Sequence, residues 1–264
     1  MGVISVIKSI GSAFSMYSRI PMPEAVWKGD PPRYTLGFFP WVGAVIGGAE
    51  YLMYRFLPVP VPALVLLMAI LPLILTGGIH VDGFMDTADA FHSYGDREKK
   101  LEILSDPHIG AFSVIRVLLL AGLYLAGLFC LLDSTRDGAL QHEAVICFCL
   151  GFPLGRCFSG LLVMLCPPAK SKGMAASMKA DSSRKVNVVL LALQGTALIL
   201  WGLILSPMIM TPGVLALIFV IGFFLVERVK PLGGITGDLA GWFLTVSECG
   251  MLLGMAGTFL AISF

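Results

Sequence analysis

Residues 109–131 read IGAFSVIRVLLLAGLYLAGLFCL, and Arg116 is the only charge in the run. As an α-helix at 1.5 Å per residue it extends about 34 Å, enough to cross a hydrocarbon layer roughly 30 Å thick. A helix of that length in a water-soluble protein carries a polar face, and this one carries none. The fold class follows from that run: a helix made for lipid. The same test along the chain predicts seven spans, at about 37–57, 61–79, 109–131, 143–166, 187–206, 212–228 and 240–262. The fifth and sixth are separated only by Pro207 to Pro212, which leaves one interrupted hairpin as an alternative to two full crossings.

Composition agrees. Of 264 residues, 57% are hydrophobic and 13% charged, and the mean hydropathy is +0.87; soluble domains carry about 25% charged residues. In lipid every backbone polar group must be satisfied within the protein, which leaves helices or a closed barrel. The expectation is an all-α polytopic membrane helix bundle, a single integral membrane domain over residues 1–264. A net charge of +1 gives no general attraction to nucleic acid. The six cysteines lie mostly in apolar runs without a C-x-x-C pair, so they read as small buried hydrophobes. Association into a homo-oligomer is allowed by this composition and not required by it.

The basic residues set an orientation. With the N-terminus inside, Lys8, Arg19, Arg97, Lys170, Arg228 and most of the others share one side, and only Arg55 and Arg136 fall on the opposite one. The positive-inside rule makes the crowded side cytoplasmic, in the cell's inner membrane. Ahead of the first span, Ile4, Ile7, Ile10, Phe14 and Tyr17 recur at helical spacing, the pattern of an amphipathic helix lying in the interface. Gly43, Gly47 and Gly48 within the first span let a neighbouring helix approach closely. Glu50 in the same span reads as a buried polar partner or a substrate contact.

Chemistry gathers after the second span, in Gly77-Gly78-Ile79-His80-Val81-Asp82-Gly83-Phe84-Met85-Asp86-Thr87-Ala88-Asp89. Asp82, Asp86 and Asp89 stand at i, i+4 and i+7, on one face of a helix. Three like charges there repel one another, and a divalent cation such as Mg2+, which binds carboxylates and substrate phosphates together, is their natural partner. His80 adds a titratable neighbour, either a base or a group orienting a carboxylate. Asp106, before the third span, and Asp238, in the glycine-rich turn Gly233-Gly234-Ile235-Thr236-Gly237-Asp238, face the same compartment and are further candidates for the metal. Gly237 in that turn can present its backbone N–H to a phosphate.

Ionisable groups within spans are costly and usually functional. Arg116, Arg156 and Glu248 share a depth of roughly 10–15 Å below the basic surface, which suggests a cavity holding substrate; an internal Arg–Glu pair is the alternative. Lys170 and Lys172 lie in a basic loop suited to phosphate or to plain anchoring.

These motifs resemble the cobalamin synthase family, the adenosylcobinamide-GDP ribazoletransferases. The resemblance rests on Gly77-Gly78-Ile79-His80-Val81-Asp82-Gly83 with Asp86-Thr87-Ala88-Asp89, on Asp106 and Ile109-Gly110, on Gly233 to Asp238, and on Arg19-Ile20-Pro21 and Phe38-Phe39-Pro40, in family order over nearly the whole chain. Family members commonly have His-Glu-Asp-Gly where this chain has His80-Val81-Asp82-Gly83, so a role for an acid at 81 is absent. The resemblance implies transfer of the adenosylcobinamide-phosphate group from adenosylcobinamide-GDP to alpha-ribazole or its 5'-phosphate, with release of GMP and a requirement for Mg2+. For that reaction the residues themselves suggest Asp82, Asp86 and Asp89, with Asp106 and Asp238, as metal ligands, His80 as a base or a group orienting a carboxylate, and Arg116, Arg156 and the basic loop as holders of phosphate or GMP.

Two other classes remain at this stage. Another membrane phosphotransferase or a prenyltransferase also works on a metal-bound diphosphate, but the full D-x-x-D-G-x-x-A-R arrangement is missing. An ion-coupled transporter places its acids at the midplane of repeated halves; here the acids crowd one surface and no repeat is visible.

Overall fold

The computed structural model describes residues 2–23, 32–132, 138–170 and 183–263, and every regular element among them is helical. Helix α1 is Val3–Tyr17. A 3-10 turn, Leu36–Phe38, leads into α2, Phe39–Phe56. Then follow α3, Val61–Thr76, α4, Ile79–His92, and the short α5, Arg97–Ile103. Next come α6, Ala111–Leu132, α7, Gly138–Leu165, α8, Arg184–Leu205, and α9, Pro207–Phe224. A π-helical turn, Leu225–Val229, and one more helical turn, Lys230–Leu232, prolong α9. The last helix, α10, is Gly237–Ser263.

Six of these stretches are each long and apolar enough to cross a membrane, and the bent pair α3–α4 raises the number to seven. Six of the seven expected spans find a counterpart, and the one at about 61–79 does so only where α3 and α4 together count as one span. The region between 187 and 228 forms two helices, α8 and α9, that meet at Ser206, and each stretch is long and apolar enough to cross by itself. Pro207 sits at the first position of α9, where its missing N–H costs nothing. Pro212 is accommodated within the helix instead of starting it.

Helices α7 and α10 form the interior. Phe152 and Leu154 from α7, and Phe243, Leu244, Leu252 and Phe259 from α10, are buried, whereas α6, α8 and α9 turn Leu118, Leu119, Leu193, Trp201, Leu215 and Phe219 outward. Lipid is as apolar as leucine, so close backbone approach must hold such helices together. Gly43 and Gly47 do this for α2: a methyl at Gly43 would lie 2.6 Å from Phe152 O, and one at Gly47 would collide with Cys149 O. That carbonyl is four residues before Pro153, whose ring has no N–H to return to it. Gly48 meets nothing and is not part of the seam.

Helix α1 divides in two. Val3, Ile4 and Ile7 are exposed, while Ala13, Phe14 and Tyr17 are buried and the Tyr17 ring packs on Phe39 at 4.1 Å. The basic end of the bundle is tied by backbone as well. Arg97 donates from Nε to Leu232 O at 2.8 Å and from Nη2 to Ala169 O at 2.9 Å, and Pro168 pairs with Ile235 in a parallel bridge.

Candidate active site

Two glycines decide where the acids stand. Gly77 and Gly78 have φ of 68° and 78°, the left-handed region open to glycine at little cost, and α4 leaves α3 at 92°. On α4, at 100° per residue, Asp82, Asp86 and Asp89 fall within about 60° of one another. The rest of the helix surface, with Gly83, Phe84, Thr87, Ala88 and Ala90, is buried. Asp82 is exposed, and Asp86 and Asp89 are half-buried.

A fourth acid joins from α10. Gly83 and Gly241 let α4 and α10 touch: a methyl at Gly83 would lie 2.8 Å from Asp238 O, and one at Gly241 would lie 3.0 Å from His80 O. Asp238 is thereby carried to the acidic face, and Asp82, Asp238 and Asp89 are all close enough to act electrostatically on Asp86. Thr236 fixes the turn, since its Oγ1 accepts from Leu239 N at 3.1 Å and donates to Asp238 Oδ2 at 3.4 Å. Gly237 opens α10 with free space about it. Lys170 lies at the edge, donating to Ser105 Oγ, and its charge reaches Asp238.

Asp89 has a structural duty too. Its Oδ2 accepts from Gly110 N at 2.7 Å and its Oδ1 from Ser113 N at 2.9 Å, so it caps α6 from a distance and places a negative charge at that helix's N-terminus. Gly110 leaves room for this carboxylate, as a methyl there would lie 2.6 Å from Asp89 Oδ1 and push it aside.

Other expected site residues lie elsewhere. His80 is on the side of α4 away from the acids, among the rings of Tyr17 and Phe39, with Nε2 shielded and unpartnered. That placement does not serve a base for this face. Asp106 is in an exposed turn, accepting from His108 N at 3.0 Å and paired with His108 Nδ1. These hydrogen bonds hold its carboxyl below the usual range, and none of the four acids is among the groups acting on it. Arg156 is buried, donating from Nη1 to Glu248 Oε1 at 2.7 Å and to Phe152 O at 2.9 Å. The pair Arg156–Glu248 is thus internal, and neither group is presented to a phosphate. Arg116 is not part of it and stands exposed on α6. Lys172 lies outside the described residues.

The donor set fits Mg2+ in one respect: hard carboxylate oxygens crowd one face that is open on one side. Among the described residues no three of the acids, histidines or cysteines close on a common point. An ion held here would therefore keep waters and take further ligands from a substrate, the habit of Mg2+ at phosphates. Sequence reasoning missed Thr236 as a cap and Arg97 as a tie between loops. A Thr before Gly-Asp at a helix start signals the first; nothing in the charged run around Arg97 signals the second.

Comparison with known proteins adds an independent line. Residues 9–256 match the family described as cobalamin-5-phosphate synthase. A protein of Lachnoclostridium phytofermentans is 33% identical over 253 residues, covering 95% of this chain and 93% of its own. One of Clostridium perfringens strain 13 is 33% identical over 257 residues (93% and 96%), and one of Chlorobaculum parvum is 31% identical over 263 residues (97% and 95%). All three bear the name adenosylcobinamide-GDP ribazoletransferase. No solved structure matches.

Proposed function

We propose, from the premise that this chain belongs to the cobalamin-5-phosphate synthase family, that its acidic face carries out the ribazole transfer for which its relatives are named. The chain transfers the adenosylcobinamide-phosphate group of adenosylcobinamide-GDP to alpha-ribazole or its 5'-phosphate. A hydroxyl of the ribazole bonds to the phosphorus joined to cobinamide and gives up its proton to solvent, the bond from that phosphorus to the GMP oxygen breaks, and GMP leaves. The observation that supports this reading best is the shared face of Asp82, Asp86 and Asp89 on α4 with Asp238 of α10 within electrostatic reach of Asp86.

Phosphoryl transfer asks little covalent chemistry of a protein and much positioning of charge. Asp82, Asp86, Asp89 and Asp238 are the residues that would hold Mg2+, not all on one ion, since among the described residues no three of them close on a common point and Asp89 already accepts from two N–H groups at the start of α6. A bound Mg2+ offsets the negative charge of the diphosphate. Lys170 approaches from the rim and can steady a phosphate oxygen, and Gly237 leaves room for it. Because the acids lie on the outer face of α4, the large corrinoid needs no closed pocket. The excess of Lys and Arg at this end supports placing the site on the cytoplasmic face of the inner membrane, where nucleotides are found.

In membranes at saturating Mg2+, Asp86→Asn is expected to slow GMP release by about a hundredfold, on the scale of losing one preorganised electrostatic contact. Excess EDTA should abolish it in the wild type. Near-normal turnover in the variant removes Asp86 from the site, and full turnover in EDTA removes the metal.

A further inference from the structure

Near the basic end of α9 the helix widens into the π turn Leu225–Val229. Such turns are rare and collect at functional sites, because the extra residue re-aims a side chain. Here the side chain is Arg228. Its guanidinium carbon lies 4.6 Å from the centre of the Phe91 ring, 5.0 Å from Phe223 and 5.0 Å from Trp242. Three rings, from α4, α9 and α10, fix the position of the cation.

Its polar needs are only partly met. Nη1 donates to Glu227 O at 3.0 Å, Nε is shielded without a partner, and among the described residues no carboxylate pairs with it. The carboxylate of Glu227 attracts it without bonding. A second arginine, without an ion-pair partner among the described residues, stands close by. His92, next to Phe91, packs on Phe112 of α6, and Arg116 is one turn further along that helix, near enough for its charge to act on Arg228. At 1.5 Å per residue, both arginines lie roughly 6–8 Å inside the basic ends of their helices. Two guanidinium groups at one depth repel each other, and among the described residues no carboxylate forms an ion pair with either.

We infer that Arg116 and Arg228 form a binding site for a phosphate group, with Arg228 supplying a planar fork held by the aromatic cage and Arg116 a second charge. The exposed Phe112, Ile115, Phe223 and Val226 around the pair face the lipid side, so the phosphate belongs either to an anionic phospholipid or to the diphosphate of a soluble substrate. Only the second source rests on the transferase reading.

The full-length protein in nanodiscs, with EDTA throughout, separates these cases. In phosphatidylcholine discs, calorimetry measures binding of inorganic pyrophosphate. In discs containing phosphatidylglycerol, native mass spectrometry counts the lipids retained on release. Arg228→Gln and Arg116→Gln should each weaken pyrophosphate binding about tenfold, or each lose a retained phosphatidylglycerol, with Arg228→Lys intermediate because it keeps charge and loses the fork. The first result assigns the site to soluble diphosphates and the second to lipid. Wild-type behaviour of both Gln variants in both discs overturns the site. Arg116 is exposed, so its variant decides the matter even where Arg228→Gln fails to fold. Neither readout needs metal or turnover, so failure here leaves the transferase reading intact.

Discussion

Within one turn of α4, two aspartates of the same type do different work. Asp89 satisfies two backbone N–H groups at the start of α6, while Asp86 has other acids for neighbours. Asp89→Asn keeps one acceptor and turns an amide donor towards the other N–H, so it should cost roughly 1–3 kcal/mol and lower the thermal midpoint of the purified protein along with turnover. Asp86→Asn relieves repulsion, so it should leave the midpoint unchanged or raised while turnover falls. Equal midpoints for the two variants would show that the α6 cap carries no weight. The spacing of Asp82, Asp86 and Asp89 made their common face legible in the sequence. The same arithmetic puts His80 opposite, but its closeness to Asp82 along the chain hides this. Asp106 was illegible because a turn, unlike a helix, has no periodicity to say which way a carboxylate faces.

At the scale of elements, glycine placement separates seams from open surfaces. Gly43, Gly47 and Gly48 look alike in the sequence, yet only the first two meet the α7 backbone. Gly47→Ala should destabilise by roughly 1–3 kcal/mol through overpacking, and Gly48→Ala should be neutral or slightly stabilising; thermal unfolding in one detergent compares them. Span positions were legible because apolar length is a local property. The 92° bend and the π turn were not. The bend needs the φ of two glycines that sequence shows only as permissive, and the π turn depends on where the rings around Arg228 pack.

The molecule as a whole keeps most of its charges at one end; inside, Arg156 pairs with Glu248, while Glu50 is buried without a hydrogen-bond partner. Arg156→Met should destabilise by roughly 3–5 kcal/mol by stranding Glu248 without its partner, and Arg156→Met with Glu248→Met should recover most of that, as read by unfolding of the two variants side by side. If the single change proves harmless, Glu248 has another partner. Orientation is tested with cysteines introduced at exposed positions of the two ends. In intact cells an impermeant maleimide should reach Leu57→Cys and spare Ser105→Cys until the membrane is opened; the reverse pattern would invert the molecule.

The ion pair inside the bundle also bears on how the protein is made. Arg156 and Glu248 are 92 residues apart, so during synthesis the arginine of α7 enters the bilayer long before its counterpart has left the ribosome. Through that interval its charge must be sheltered by the insertion machinery or by lipid headgroups drawn inward. A chain cut short after Leu232 would keep the buried Arg156 without Glu248, the costly half of a broken pair.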